Sequence, residues 1–378
     1  MAKKNWQGEF LYEVRQQIQK LRKNKSLFGL VLLILALLYQ SNPYPLNNWI
    51  SGIVYRPQST LVNSPWPWKN QRTIHPIIVN LPQEAETSIK SVADYIVRNE
   101  PNSYKQIKAA HDYVVSRVSY DLGVLTEGIR PSQKPLTVFH KRVGVCEGYA
   151  RLFQALGKAM GYKTAYITGK VRRDLAPIDV IPQARRLANY GYDWTLHAWN
   201  GVKIEGNWYL VDTTWDDGNL YKTDYLLVPP AAMISSHFPS SKNWQLLPST
   251  INHEAFENKP LLTTKFFAQG LELVAPRQYE NELNKGKNVA NIKVKSPVEY
   301  RSRIIAYFGK QAPQTSILDV FPNQAKTRKS LVSCNSEKLS PQETNITCQL
   351  PQPGTYQIYL FSQGRINNRI GQLKFKIL

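Results

Sequence analysis

Between Cys146 and Met160 the apolar side chains fall at Tyr149, Leu152, Phe153, Leu156, Ala159 and Met160. That spacing draws one stripe along a helix, and Gly161-Tyr162 ends it. Two upstream segments keep the same period. In "EAETSIKSVADYIVRNE", residues 84–100, Ile89, Val92, Ile96 and Val97 share a face. "YKQIKAAHDYVVSRV" follows Asn102 and Ser103, which offer a helix cap. After Tyr162 the period drops to two. "KTAYITGKVRR", "LHAWNGVKIE" and "NWYLVDTTW" alternate like strands, with a proline-containing loop over 174–193 after the first. A turn at Gly206-Asn207 joins the last two as a hairpin. Helices followed by antiparallel strands predict an α+β domain over residues 84–250.

From about residue 255 the pattern becomes short strands broken by Pro, Gly and Asn. They are "LELVAP", "NVANIKVKS", "YRSRIIAYFG", "KSLVSCNS", "NITCQLP", "GTYQIYLFS" and "QLKFKIL". Such a run predicts a β-sandwich-like domain over 255–378. Residues 43–83, rich in Pro, Asn and Trp, read as a stalk or as an arm lying on the domain.

The N-terminus reads differently. Residues 1–25 form a basic tail, and "SLFGLVLLILALLYQSN", residues 26–42, carries no charge. Its strictly apolar part, Leu27 to Tyr39, would span roughly 20 Å as a helix, against roughly 30 Å of hydrocarbon. Ser26, Gln40, Ser41 and Asn42 lengthen it, and Lys25 can reach outward to the headgroups. The basic region is too long for a usual cleaved signal peptide, and no good cleavage site follows. No polar face marks a core helix. The expectation is a transmembrane signal anchor: one span, the basic tail cytoplasmic and the remainder extracytoplasmic.

Composition narrows the field without choosing. The 378 residues suffice for two cores, and the net charge of +21 is spread along the chain. A spread basic excess suits a solvated surface in anionic surroundings. No nucleic-acid module accompanies it, so nucleic-acid binding is not expected. Three cysteines exclude a disulfide scaffold, and none has zinc spacing.

Cys146 lies between Gly144 and Gly148 at the start of the apolar stripe. Free cysteines are commonly buried hydrophobes. A nucleophile would need three things: an anionic sulfur, a base, and a group orienting the base. The free N–H groups of a helix start favour an anion. His197, in "TLHAWNGVKI", is the candidate base, and Asp212, in "YLVDTTWDDG", the candidate orienting group. His197 stands well before the turn and Asp212 closer after it, so they are not directly opposite. A longer turn, a bulge or a stagger would bring them together. A histidine in a strand is more often structural, and Asp212 could simply end its strand. Asp216 and Asp217 read as turn residues, and Trp199, Trp208 and Trp215 as core. His111 shares an apolar helix face and His140 sits in the loop before Cys146, a weaker base. His75, His237 and His253 lie in proline-rich or linking stretches.

"GVCEGYARLFQALGKAMGY" followed by "HAWNGVKIEGNWYLVDTTWDDG" resembles the transglutaminase-like superfamily, a papain-like fold, in the order Cys, His, Asp. "VSRVSYD" resembles the family's helix exit. "YLLVPPAAMISSHFPSSKNWQLLP" resembles the segment after the core in the kyphoscoliosis-peptidase-like subgroup, whose members continue into a β-rich domain. The resemblance covers about residues 85–250. It implies Cys146 as nucleophile, His197 as general base and acid, and Asp212 as orienting group. It also implies an acyl-enzyme resolved by water, as in a peptidase, or by an amine, as in a cross-linking transferase. The substrate would be a protein or peptide, at the cell surface or in a cell wall. The superfamily also contains non-catalytic members, so a surface binding or scaffolding protein is the alternative. Animal members use calcium, but no D-x-D-x-D-G loop occurs here, and neither metal nor cofactor is expected. The second oxyanion donor stays open; Tyr120, Gln133 and Trp66 are upstream possibilities.

The remaining cysteines, Cys334 and Cys348, end "KSLVSC" and lie within "ITCQL". "NSEKLSPQETNIT" between them reads as a polar loop joining antiparallel strands. The geometry predicts a disulfide in an oxidising compartment, with Cys146 left free.

Overall fold

The computed structural model describes residues 64–69, 73–121, 131–172, 175, 196–218, 221–284, 286–298, 300, 302–310, 331–362 and 369–378. The expected basic tail and anchor, residues 1–42, lie outside the described residues, as does most of the 174–193 loop. No helix among the described residues is long and apolar enough to cross a membrane.

Two helices stand where the stripe places them. α1, Ile89–Asn99, opens on a capping box in which Ser88 and Ser91 satisfy each other's backbone N–H groups. α2, Ser103–Arg117, is capped by the Asn102 side chain, which accepts from the Lys105 N–H. Val92 and Ile96 are fully buried, whereas Val97, assigned to the same face by spacing, is 41% exposed. One residue past Ile96 is 100° around the helix, which rotates Val97 out of the contact. A short helix α3, Pro135–Lys141, starts at a proline whose missing N–H costs nothing there. α4, Cys146–Ala159, then runs through the middle of the core, and Tyr149, Leu152, Phe153 and Leu156 are wholly buried. Each such side chain contributes about 1.5–3 kcal/mol by leaving water.

β1, Lys163–Val171, β2, Leu196–Ile204, and β3, Asn207–Val211, form an antiparallel sheet with β4, Leu226–Val228, and β5, His237–Pro239, in the order β4-β3-β2-β1-β5. A four-residue helix α5, Thr213–Asp216, follows β3. The β2–β3 turn is Glu205-Gly206, with φ of 49° and 87°, one residue earlier than Gly206-Asn207. Two left-handed residues in a two-residue connection match the twist of a hairpin. Val202 and Ile204 pack into the core with α4, and Asn200 on the same face donates to the Ala150 carbonyl. The described part of the stretch before residue 83 belongs to this core as well. Trp68 is buried and donates to the Leu226 carbonyl, and Ile78 is fully buried.

The second core lies in two packed sheets. The strands are β6, Leu261–Leu262; β7, Glu272–Ala275; β8, Glu280–Leu283; β9, Val289–Lys295; β10, Ile304–Lys310; β11, Val332–Ser333; β12, Asn335–Ser340; β13, Glu343–Gln349; β14, Gly354–Ser362; and β15, Arg369–Ile377. One sheet runs β8-β15-β14-β10-β11, with β6 also on β15, and the other β12-β13-β9-β7. Ile292, Ile346, Ile358 and Leu373, each fully buried, come from both sheets. β6 and β8 were not signalled by the sequence. The first has two residues, and the second, Glu-Asn-Glu-Leu, carries no apolar alternation. Arg172, just past β1, ties the two parts: its guanidinium donates to the carbonyls of Phe256, Glu257 and Lys259.

Cys334 and Cys348 form a disulfide with Cα atoms 4.5 Å apart. The segment between them is not a loop but the β12–β13 hairpin, turning at Pro341-Gln342. Asn335 pairs with Thr347, which places the two cysteines opposite each other one step further on. β12 hid in the sequence because its side chains are nearly all exposed and polar. Closing 14 residues stabilises the folded state by about 3 kcal/mol in the chain-entropy account. The double replacement Cys334→Ser, Cys348→Ser is expected to lower unfolding free energy by about that amount in denaturant melts. Thiol counting on the unreduced, denatured wild type should find one free sulfhydryl; three would remove the bridge.

Candidate active site

Cys146 is the first residue of α4, and Val145 before it is extended. A first helical residue has no intrahelical acceptor for its N–H, so that group is free to face an anion. Gln133 locks the approach. Its Oε1 accepts from the Val145 N–H at 2.9 Å, and its Nε2 donates to the Pro131 carbonyl at 3.0 Å. Gly148 makes room for this side chain, since a Cβ there would stand 2.5 Å from Gln133 Oε1 and 2.9 Å from a Val138 methyl. The two glycines flanking Cys146 are thus accounted for at least at position 148 by packing. Trp66 donates its indole N–H to the Asp224 carbonyl. Trp66 has thus spent its single indole N–H, whereas Gln133 has used one of its two amide N–H groups. Tyr120 packs against Tyr149.

β2 delivers His197 and the end of β3 delivers Asp212. The hairpin has a plain two-residue turn, and continuing its register puts Asp212 across from Trp199. His197 is two residues from Trp199 on the same face, so the pair meets diagonally. No bulge or longer turn between β2 and β3 is needed. His197 Nε2 lies 2.6 Å from Asp212 Oδ2. Asp212 also caps α5: its Oδ1 accepts from the N–H groups of Thr214 and Trp215. Its own N–H donates to the Tyr225 carbonyl.

The electrostatics follow from these contacts. Burial alone would lower the His197 pKa. The adjacent Asp212 carboxylate outweighs burial, and a hydrogen bond and charge from Cys146 add to it, so the imidazole is pushed up to about 10. Burial would raise the Asp212 pKa, but the charge and hydrogen bonds of His197, then His237, hold it well below the usual carboxylate range. Cys146, the free cysteine, is half-buried and joined to the same imidazole. Asp212 occupies Nε2 of His197. His197 and Asp212 thus form a buried pair, and Cys146 at the head of α4 acts on the same imidazole.

A fourth residue, unsuspected in the sequence, joins them. His237 Nε2 lies 2.9 Å from the same Asp212 Oδ2. The strand carrying it is three residues long, too short for any periodicity to mark it. The other histidines lie elsewhere. His140 ends α3 rather than sitting in a loop, exposed against the Phe139 ring. His75 caps a short helix and meets Glu100. His253 is exposed near Glu257. His111 is wholly buried, between Asp112 at 2.9 Å and Asp216 at 3.1 Å. Asp216 is no turn residue: it is fully buried and accepts from the Tyr225 N–H, so Tyr225 backbone groups hold both ends of α5. Trp199, Trp208 and Trp215 are core, as expected.

His197, Asp212 and His237 bring three potential metal-ligand atoms within 4.8 Å. The chemistry does not fit a metal centre. Ligands about 2.0 Å from a tetrahedral zinc stand about 3.3 Å apart, whereas both imidazole nitrogens lie at hydrogen-bond distance from one oxygen, 2.6 and 2.9 Å. Calcium takes six to eight oxygens, and the cluster offers a single carboxylate. The three residues form a hydrogen-bonded array.

With this geometry in place, comparison with known proteins is direct. Residues 90–213 match the family model of the Transglutaminase-like superfamily. Kyphoscoliosis peptidase of Mus musculus is 26% identical over 222 residues, covering 56% of this chain and 32% of that protein. The Homo sapiens protein is 26% identical over 223 residues with the same coverage. The chain spans about a third of the length of these curated relatives. The crystal structure of red sea bream transglutaminase is 9% identical with a TM-score of 0.25, covering 76% of this chain and 57% of that one, a likeness too slight to bear on the site. Residues 90–213 thus form a transglutaminase-like superfamily domain by their match to that family model, and the chain is similar to kyphoscoliosis peptidase over about half of its length.

Proposed function

We propose that the protein is a thiol enzyme that forms an acyl-enzyme on Cys146, with His197 as general base and acid and Asp212 as the group that orients and charges His197. The observation that carries this reading is the buried His197–Asp212 pair at 2.6 Å, with the free Cys146 at the start of α4 acting on the same imidazole. In the first step the sulfur attacks a peptide or side-chain amide carbonyl. An S–C bond forms, the C–N bond breaks, and His197 gives its proton to the departing amine. The Cys146 N–H is placed to donate to the developing oxyanion. In the second step water, or an amine such as lysine, attacks the thioester carbonyl. His197 takes the attacker's proton, the C–S bond breaks, and the thiolate–imidazolium pair is restored.

Water is the default acceptor, so hydrolysis of a protein or peptide substrate is favoured over cross-linking. The basic tail at 1–25 and the uncharged stretch at 26–42 support a membrane-anchored enzyme whose catalytic part faces out of the cytoplasm. An extracytoplasmic address also suits the Cys334–Cys348 bond. Incubating the full chain with casein and a labelled primary amine tests the reading. Cleavage supports the peptidase and amine incorporation the transferase. Neither, across a range of protein substrates, would favour a binding or scaffolding protein.

A further inference from the structure

His237 is 1% exposed and packed among the rings of Trp215, Trp199 and Tyr225, at centroid distances of 4.4, 5.1 and 5.3 Å. Inside this aromatic box both of its nitrogens are used. Nε2 faces Asp212 Oδ2 at 2.9 Å, and Nδ1 faces Ser236 Oγ at 2.7 Å. A nitrogen against a carboxylate carries the proton, so Nε2 donates. Burial drives the ring toward its neutral form, with its pKa lowered to about 4. Neutral imidazole has its lone pair on Nδ1, so the Ser236 hydroxyl donates to it. The Tyr225 hydroxyl lies 3.5 Å beyond Ser236 Oγ. The tautomer is therefore fixed, and the chain of donors runs toward Asp212 from both sides.

We propose that His237, held by Ser236, is a positioning residue that shares the Asp212 carboxylate oxygen with His197. This rests on the acyl-enzyme reading above. The sharing does two things. It anchors Oδ2 from a second direction, so the carboxylate is held when the His197 imidazole moves. It also divides the hydrogen-bonding capacity of that oxygen. An anion with two donors on one oxygen holds each more weakly than an anion with one. His197 is then charged enough to stabilise the thiolate, yet able to release its proton to the leaving amine. A histidine that merely fills core would have no need of this oxygen, and α5 already satisfies Asp212 Oδ1.

The groups facing His237 are few: Asp212 after β3, His197 on β2, Tyr225 before β4 and Ser236 beside it. Of these Asp212 and His197 carry charge near neutral pH, so a change at His237 reports on that pair. The readout is the pH dependence of Cys146 alkylation by iodoacetamide, followed by peptide mapping on the full chain. Its upper limb marks the loss of the His197 proton, whose pKa is raised to about 10. His237→Phe keeps a ring in the box and removes the donor, leaving Asp212 entirely to His197. The upper limb should move up by about one pH unit, about tenfold in the His197 proton equilibrium. Ser236→Ala removes one hydroxyl and frees the tautomer, and the limb should move the same way by less. Should the Phe variant not fold, the Ala variant carries the test. Limbs coinciding with wild type in the folded variants, even with lowered melting temperatures, would overturn the proposal. Wild-type Cys146 alkylating no faster than Cys146 in a folded His197→Ala variant would instead sink the acyl-enzyme reading, and this proposal with it.

Discussion

Replacing Cys146 with alanine is expected to reduce acyl transfer by at least ~10³-fold while the protein stays folded. The reason is chemical and local. The chain has three cysteines, and Cys334 and Cys348 are bonded to each other, so no other thiol can take over. Cys146 is half-buried at the first position of α4, while the residues holding that helix in the core are Leu152, Phe153 and Leu156. Alanine is the best helix former, and the His197–Asp212 bond survives it. Stability should change by no more than about 1 kcal/mol. Amidase or amine-incorporation rates together with a denaturant melt check both halves. Wild-type turnover in the variant would remove Cys146 from the chemistry.

Asp212→Asn should cost both activity and stability. The carboxylate accepts from two backbone N–H groups on Oδ1 and from two imidazoles on Oδ2. An asparagine that keeps its oxygen on α5 turns an NH₂ toward His197 and His237, setting donor against donor. The expected loss is about 2–4 kcal/mol of stability and roughly 10³- to 10⁴-fold in turnover, because His197 loses its orientation and tautomer. The pH dependence has a defined sign. The native pKa of His197 is raised to about 10, above the 6.5 of an unperturbed histidine. Its protonated form therefore adds stability that is fully present below pH 6.5 and is lost as pH rises toward 10. The gap between wild type and Asp212→Asn should narrow over that window in urea melts. A constant gap would mean that His197 is not held charged by Asp212.

What the sequence allows one to see follows from how each feature is encoded. α4 shows plainly because its whole inner face is apolar and buried, so a 3.6-residue period survives in the residue types. The β2–β3 hairpin shows for the same reason, at a period of two. The His197–Asp212 contact is less visible. Hairpin arithmetic pairs residues straight across, and these two meet on the diagonal, two positions apart. His237 is invisible for a different cause: a three-residue strand has no period, and its partner Asp212 is distant in the chain. β12 reads as a loop because its side chains point to water while its backbone alone makes the ladder. Asp216 looks like a turn residue by type, but its burial depends on His111 from α2, a partner no local pattern names. Chemistry written in one segment was legible; chemistry assembled across segments needed the fold.

The central claim is that Cys146 is an activated thiol whose reactivity depends on His197. Its most direct measurement is the rate of Cys146 carboxamidomethylation at neutral pH, by peptide mapping, in the wild type and in His197→Ala. The wild type should react at least about tenfold faster, since His197 offers the sulfur a cation and a base and alanine offers neither. Equal rates in two folded proteins would make Cys146 an ordinary half-buried cysteine and would contradict the account.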